Sequence, residues 1–155
     1  MEYIITRIQP TDEIPYHLLL LADENQQLID AYLPVSQVYL LRVKDQVRGI
    51  CLLQISDQMG EIMNIAIDPV YQGKGLGKAL LSETIDIARQ QSLQRLVIKT
   101  GNSGIRQIAL YQQQGFELVH VNYNYFLSAY PEPIWENKIQ CKHQLVFELS
   151  LVHSK

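Results

Sequence analysis

The sequence predicts an α+β fold: a mixed, mostly antiparallel sheet of seven strands with a central strand–helix–strand crossover. Three observations predict it. The apolar runs "VYLLRV", "RGICLLQI" and "EIMNIAI" follow one another with only short polar turns at 44–47 and 57–60, which makes them antiparallel neighbours in a meander. A helical pattern from about Gly75 to Gln91 then leads to "RLVIKT", an apolar strand of the buried, parallel type. Such a crossover is right-handed. Two further strands, "FELVHVNYNYF" and "HQLVFELSL", flank a long segment at 127–142.

The remaining elements follow in order. "EYIITRI" alternates weakly and reads as a first strand. From Ile14 to Leu33 the apolar residues fall at helical spacing, interrupted near Asp23, Glu24 and Asn25. This predicts two short helices ending at Pro34, since proline cannot continue a helix. On the crossover helix, Leu76, Leu80, Ile87 and Ala88 share one side, with Leu81 and Ile85 beside them. "SGIRQIALYQQQ" is a second helix, closed by Gly115 in the usual C-terminal position. The chain shows no repeat, low-complexity tract or Gly/Ser linker, so its 155 residues read as one domain, 1–155.

Composition excludes several functional classes. A net charge of −3 and a pI near 5.8 argue against a nucleic-acid binder, which is usually basic. Of the two cysteines, Cys51 lies in an apolar run and reads as a small core residue. No Cys/His pair has metal-ligand spacing, and nothing suggests a disulfide framework, so no metal is expected. "MEYIITRIQP" lacks a basic region followed by an apolar stretch, and "HLLLLAD" is too short to cross a membrane. The expectation is a cytoplasmic protein without membrane contact.

The stretch "IDPVYQGKGLGKALL", Ile67 to Leu81, carries the strongest signal. A glycine costs roughly 1 kcal/mol against alanine inside a helix, and lysines at a helix start oppose its positive end. Two nucleotide motifs fail here. G-x-x-x-x-G-K-[ST] needs four residues between its glycines and a hydroxyl after the lysine; three separate Gly73 from Gly77, and Ala79 follows Lys78. In G-x-G-x-x-G counted from Gly73, the third glycine position is Lys78. Helix starts usually carry a Ser, Thr, Asp or Asn cap and acids in the first turn, and this one has neither. Its N–H groups need another acceptor. A phosphate or pyrophosphate would supply one, with Lys74 and Lys78 adding charge. The alternative is a plain glycine-rich turn with solvated lysines.

"QGKGLG", Gln72 to Gly77, resembles the [RQ]-x-x-G-x-[GA] signature of the GNAT superfamily of N-acetyltransferases. "EIMNIAIDPVY" resembles that family's fourth strand, and "IALYQQQGFELV", Ile108 to Val119, resembles the end of its fourth helix. The likeness is strong over about residues 45–120 and only topological elsewhere. It implies a three-layer α/β arrangement, with helices on both faces of the sheet. It also implies acetyl-CoA as the acetyl donor.

Carried over residue by residue, the resemblance places the cofactor pyrophosphate on Gln72, Gly73, Lys74, Gly75, Leu76, Gly77 and Lys78 through backbone N–H groups. A bulged fourth strand would free the main chain of Ile65, Ala66 and Ile67 for the pantetheine arm. The N–H of Ile65 would then polarise the thioester carbonyl. Glu61 matches a glutamate base of some members, though a solvated glutamate after a turn explains it too. Tyr111 matches the tyrosine beside the thioester sulfur, with helix packing as the plainer alternative. One position departs: where the family often has a cofactor-contacting Asn, seven residues before the tyrosine, this chain has Gly104. Asn102 either substitutes for it or caps the next helix with Ser103.

The acceptor side is less determined. In the family the first two helices and the last inter-strand connection wall the acceptor. Here that connection holds Tyr130, Glu132, Trp135 and Glu136, which suit an amine, a loop packed over the core, or a homodimer contact. The pair Tyr123 and Tyr125 alternates on a strand and needs no function. Two function classes result. One is an enzyme acetylating a primary amine of a small molecule or peptide by direct attack in a ternary complex, since no Cys–His pair supports a covalent route. The other is a non-catalytic acyl-CoA-binding or sensing module; Glu61 and Tyr111 favour the enzyme.

Overall fold

The structure, a computed structural model, describes residues 1–152 in two compact units, Met1–Leu93 and Gln94 onward. The first unit contains β1 (Ile4–Arg7), α1 (Tyr16–Ala22), α2 (Gln26–Tyr32), β2 (Gln37–Val43), β3 (Gln46–Ser56), β4 (Met59–Ile67) and α3 (Leu76–Gln90). Its strands lie in the order β1-β2-β3-β4, each antiparallel to the next. The meander turns on two residues between β2 and β3, where Lys44 and Asp45 adopt left-handed φ of 52° and 65°. That geometry matches the twist of a tight hairpin.

Alternation along the strands sends residues to two faces. Leu18 and Leu19 of α1 and Ile29 of α2 are fully buried against Val38, Leu40, Ile50, Leu52 and Ala66. Burying a leucine fully contributes about 1.5–3 kcal/mol, so this cluster holds two short helices that propensity alone would not. Cys51, between Ile50 and Leu52, faces the other way and meets α3: Thr84 Oγ1 donates to Leu80 O at 2.8 Å and lies 3.4 Å from Cys51 Sγ. Burial pushes the Cys51 thiol up to about 12, with the Thr84 hydroxyl offsetting part of the rise. α3 buries Leu76, Leu80, Leu81, Thr84, Ile85 and Ala88, which is close to the expected stripe.

The second unit contains β5 (Arg95–Gly101), α4 (Ile105–Gln113), β6 (Glu117–Asn122), α5 (Tyr125–Ala129), β7 (Ile134–Glu136), β8 (Ile139–Cys141) and β9 (Gln144–Ser150). Its three long strands lie in the order β5-β9-β6, antiparallel throughout. Gly115 follows α4 with φ of 100°, as its terminating role requires.

Two sequence expectations are corrected here. The strand read as "FELVHVNYNYF" stops at Asn122, because Asn124 turns left-handed, with φ of 61°, and its N–H donates to His143 Nδ1 at 2.9 Å. Tyr123 therefore stands in the turn and Tyr125 opens α5, so the two do not alternate on a strand. The segment 127–142 is likewise not a loop. It carries the end of α5 and the β7–β8 hairpin, whose Asn137 and Lys138 take φ of 54° and 62°. Among the described residues no helix is long and apolar enough to cross a membrane.

Candidate active site

In the first unit, the connection from β4 to α3 has a fixed stem and an open tip. Asp68 leaves β4 with its N–H donating to Arg48 O at 2.8 Å. Its carboxylate takes Val70 N at 3.0 Å and Arg48 Nη1 at 3.0 Å, capping a single 3₁₀ turn at Pro69–Tyr71. Arg48 Cζ also sits 4.7 Å from the centre of the Tyr71 ring. Gln72 then turns back, its Nε2 donating to Ile67 O at 2.9 Å. The side chain of Gln72 is thus a brace.

Beyond Gln72 the character changes. Gly73 and Gly75 have φ of 75° and 82°, and a Cβ built on either would meet nothing within 4 Å. Gly75 caps α3 without any side-chain hydrogen bond, and no acid stands in the first turn. Among the described residues, no backbone carbonyl accepts from the N–H groups of Gly73 to Lys78; the first such bond is Ala79 N to Gly75 O at 3.0 Å. Lys74 and Lys78 are exposed, whereas Leu76 is buried and can offer a ligand only its main chain. Gly77 lies in ordinary helical space, and an added Cβ would sit 3.8 Å from Ile67. Unshared N–H groups, close backbone access and two cations are the features that a phosphate-binding turn requires. These residues fit a pyrophosphate.

β4 carries a bulge. Leu52 pairs with Asn64 and Leu53 with Ile62, leaving Met63 as the extra residue. In a regular strand Glu61 and Asn64, three apart, would point to opposite faces. With the extra residue, Glu61 pairs with Gln54 and Asn64 with Leu52, two apart on β3, so both occupy the face covered by α1 and α2. Glu61 is half-buried there. Asn64 is 4% exposed, and its Nδ2 donates to Leu19 O at 2.9 Å and Tyr32 Oη at 3.1 Å. Tyr32 Oη donates in turn to Asp23 Oδ2 at 3.1 Å. Asn64 Oδ1 is buried without a partner. Ile65, Ala66 and Ile67 pair with Cys51, Ile50 and Gly49.

In the second unit, Tyr111 on α4 is 4% exposed, its ring edge-on to Phe147 at 5.8 Å and tilted against Phe116 at 6.2 Å. Asn102 does not cap α4, whose N-cap is Gly104 without a side-chain bond. Its Nδ2 donates to Gln140 O at 3.1 Å, and its Oδ1 accepts from Lys142 N and His143 N, both at 2.8 Å. Gly104 has a packing reason: a Cβ there would stand 2.7 Å from Thr100 Oγ1, leaving no room for an asparagine. Along the 130–136 stretch, Trp135 is 64% exposed and Glu132 and Glu136 are exposed, while Tyr130 stacks on Phe126 at 5.5 Å.

Sequence reading missed Arg48, Asp23, Tyr32 and Asn64. Their partners lie 9 to 45 residues away along the chain, beyond the reach of any local pattern. The one available signal was Asn64 itself, an amide in an otherwise apolar strand.

Residues 4–116 match the Acetyltransferase (GNAT) family. The chain is 38% identical over 144 residues to the uncharacterized N-acetyltransferase YvbK of Bacillus subtilis, covering 92% of this chain and 93% of that one. Its fold is similar to a GNAT family acetyltransferase from Elizabethkingia anophelis with acetyl-CoA bound, at 38% identity and a TM-score of 0.92, covering 96% of this chain and 97% of that one. It is equally similar in fold to a Bacillus subtilis acetyltransferase in complex with CoA, at 36% identity and a TM-score of 0.92, covering 97% and 100%. The seven-stranded, mostly antiparallel sheet with its helices is the architecture these proteins share. With the family matched over most of its length, the chain belongs to the GNAT family and is an N-acetyltransferase.

Proposed function

We propose that residues 1–155, acting as one N-acetyltransferase domain, move the acetyl group of acetyl-CoA to a primary amine of a small molecule or peptide by direct attack in a ternary complex. The observation that carries this reading is the uncapped tip at Gly73–Lys78, whose N–H groups have no backbone acceptor among the described residues. Gly73, Lys74, Gly75, Leu76, Gly77 and Lys78 would hold the pyrophosphate, with Gln72 bracing the loop from behind. The main chain of Ile65, Ala66 and Ile67, just past the bulge, would take the pantetheine arm. Asn102 would reach the cofactor with its second Nδ2 hydrogen, the rest of its side chain being engaged.

Bound acetyl-CoA supplies an acetyl group already activated as a thioester. The chain must supply a neutral amine. A lysine-like amine has a pKa of about 10.4, so removing its proton at pH 7 costs roughly 4.6 kcal/mol. Glu61, on the face covered by α1 and α2, accepts that proton directly or through water. The N–H of Ile65 stabilises the carbonyl oxygen as charge builds on it. Tyr111 Oη donates a proton to the departing sulfur, a modest contribution because a thiolate leaves well unaided.

Calorimetry with CoA, followed by thiol release from acetyl-CoA with polyamines, amino sugars and peptides, tests the reading. Binding in the micromolar range and release with at least one amine are expected. Binding without acetylation of any amine would sink the transferase reading, and no binding would sink the cofactor site.

A further inference from the structure

The tip can present its N–H groups to a ligand only if something fixes where it starts, and the two left-handed glycines do not. Each glycine is free to adopt many other conformations, so the tip is ordered from its ends. One end is α3. The other is the stem, where one residue from a neighbouring strand makes three separate attachments. Arg48, on β3, receives the Asp68 N–H on its carbonyl at 2.8 Å, ion-pairs through Nη1 with the Asp68 carboxylate at 3.0 Å, and stacks over Tyr71. The Asp68 side chain is 15% exposed and that of Arg48 30%, so the pair is partly shielded from solvent. Arg48 accepts a cost for this placement, since its Nε is buried without an acceptor. A guanidinium seeking only hydrogen bonds would not sit so; a planar group that must stack on Tyr71 and reach Asp68 together would.

From this we infer that Arg48 is a positioning residue for cofactor binding: it clamps Asp68 and Tyr71 so that the Gly73–Lys78 tip is held ready for the pyrophosphate before the cofactor arrives. The inference rests on the proposed cofactor site. Ordering done in advance is ordering the ligand need not bring about on binding, so removing the clamp lowers affinity without removing any group that touches the ligand. Lysine in place of Arg48 keeps the charge but loses the plane that covers Tyr71.

The test measures CoA affinity by calorimetry and amide hydrogen exchange across residues 46–80 for the full chain, Arg48→Met, Arg48→Lys and Tyr71→Leu. Arg48→Met should weaken CoA binding about tenfold and speed exchange at 70–78, with β3 and β4 protection retained. Arg48→Lys should recover part of the affinity, and Tyr71→Leu, which alters the clamp from the other side, should weaken binding several-fold even if Arg48→Met does not fold. Affinity within twofold of wild type in the folded variants overturns the clamp. So does a loss of protection spread evenly over β3 and β4, which would mark a general role in stability. A wild-type chain that binds no CoA overturns the cofactor site itself, a result distinct from wild-type binding that the variants leave unchanged.

Discussion

The chain passes from strand to helix twice through a glycine, and the two passages are opposites. Both α3 and α4 begin at a glycine cap with no side-chain hydrogen bond. At α4 the connection closes on itself. Gly104 N donates to Gly101 O and Ile105 N to Ser103 O, both at 3.0 Å; Asn102 ties the same few residues to β8 and the turn after it, and Asn137 ties them to the β7–β8 turn. A Cβ at Gly101 would collide with Cys141 Sγ, and one at Gly104 with Thr100. At α3 the two glycines of the tip face open space, and among the described residues their N–H groups have no backbone acceptor. A glycine therefore carries two different meanings. After β5 it permits the protein's own atoms to come close; after β4 it permits something else to.

The largest expected effect comes from closing the open passage. Gly75→Val places a β-branched residue at φ of 82°, which L-residues avoid by about 1–2 kcal/mol or more, and reorients the tip. CoA affinity measured by calorimetry should fall at least about a hundredfold, the factor that 2.7 kcal/mol sets, while the thermal midpoint moves by only a few degrees. Unchanged affinity would erase the difference between the two passages.

Next comes the helix that follows the closed passage, where chemistry rather than binding is expected. Tyr111→Phe should lower kcat about 10- to 100-fold, with CoA affinity unaltered by calorimetry. Full activity would remove Tyr111 as the acid. Glu61→Gln sharpens the same division, slowing turnover most at low pH, where more of the amine is protonated. A small loss of equal size across the pH–rate profile would count against a base.

A smaller, different effect is expected at the closed passage itself. Asn102→Ala removes three hydrogen bonds, two of them to backbone N–H groups, and should cost about 1–3 kcal/mol in urea unfolding. CoA affinity should fall only about three- to tenfold, because the second Nδ2 hydrogen is one cofactor contact among many. Unchanged affinity would leave Asn102 with an internal role alone. The smallest change is Gly77→Ala: helix propensity predicts a gain of up to about 1 kcal/mol in stability, and the new methyl meets only Ile67. Loss of CoA binding in this variant would show the ligand lying against that residue.

How far the sequence could be read follows from the range over which each feature is encoded. The open passage was legible because its signal is local: a missing cap, three glycines and two lysines within a dozen residues. The meander and both long helices were legible for the same reason. The hairpin at β7–β8 escaped notice because Asn137 and Lys138 form its turn without a glycine, and its strands are three residues each. Asn102 was seen as a candidate, but its three partners come from residues 38 to 41 positions further along. A bulge in the fourth strand was expected from the family resemblance alone, without its position at Met63. Its effect, setting Glu61 and Asn64 on one face, required the β3 register.

The buried thiol of Cys51 has a practical side. It is the thiolate that attacks a thiol reagent, and a group held near 12 supplies essentially none at neutral pH. Cys141, the second cysteine, is also enclosed. A chromogenic disulfide present throughout turnover should therefore count the sulfur leaving the donor and ignore the enzyme's own, so the folded chain comes with a silent background for its own continuous assay.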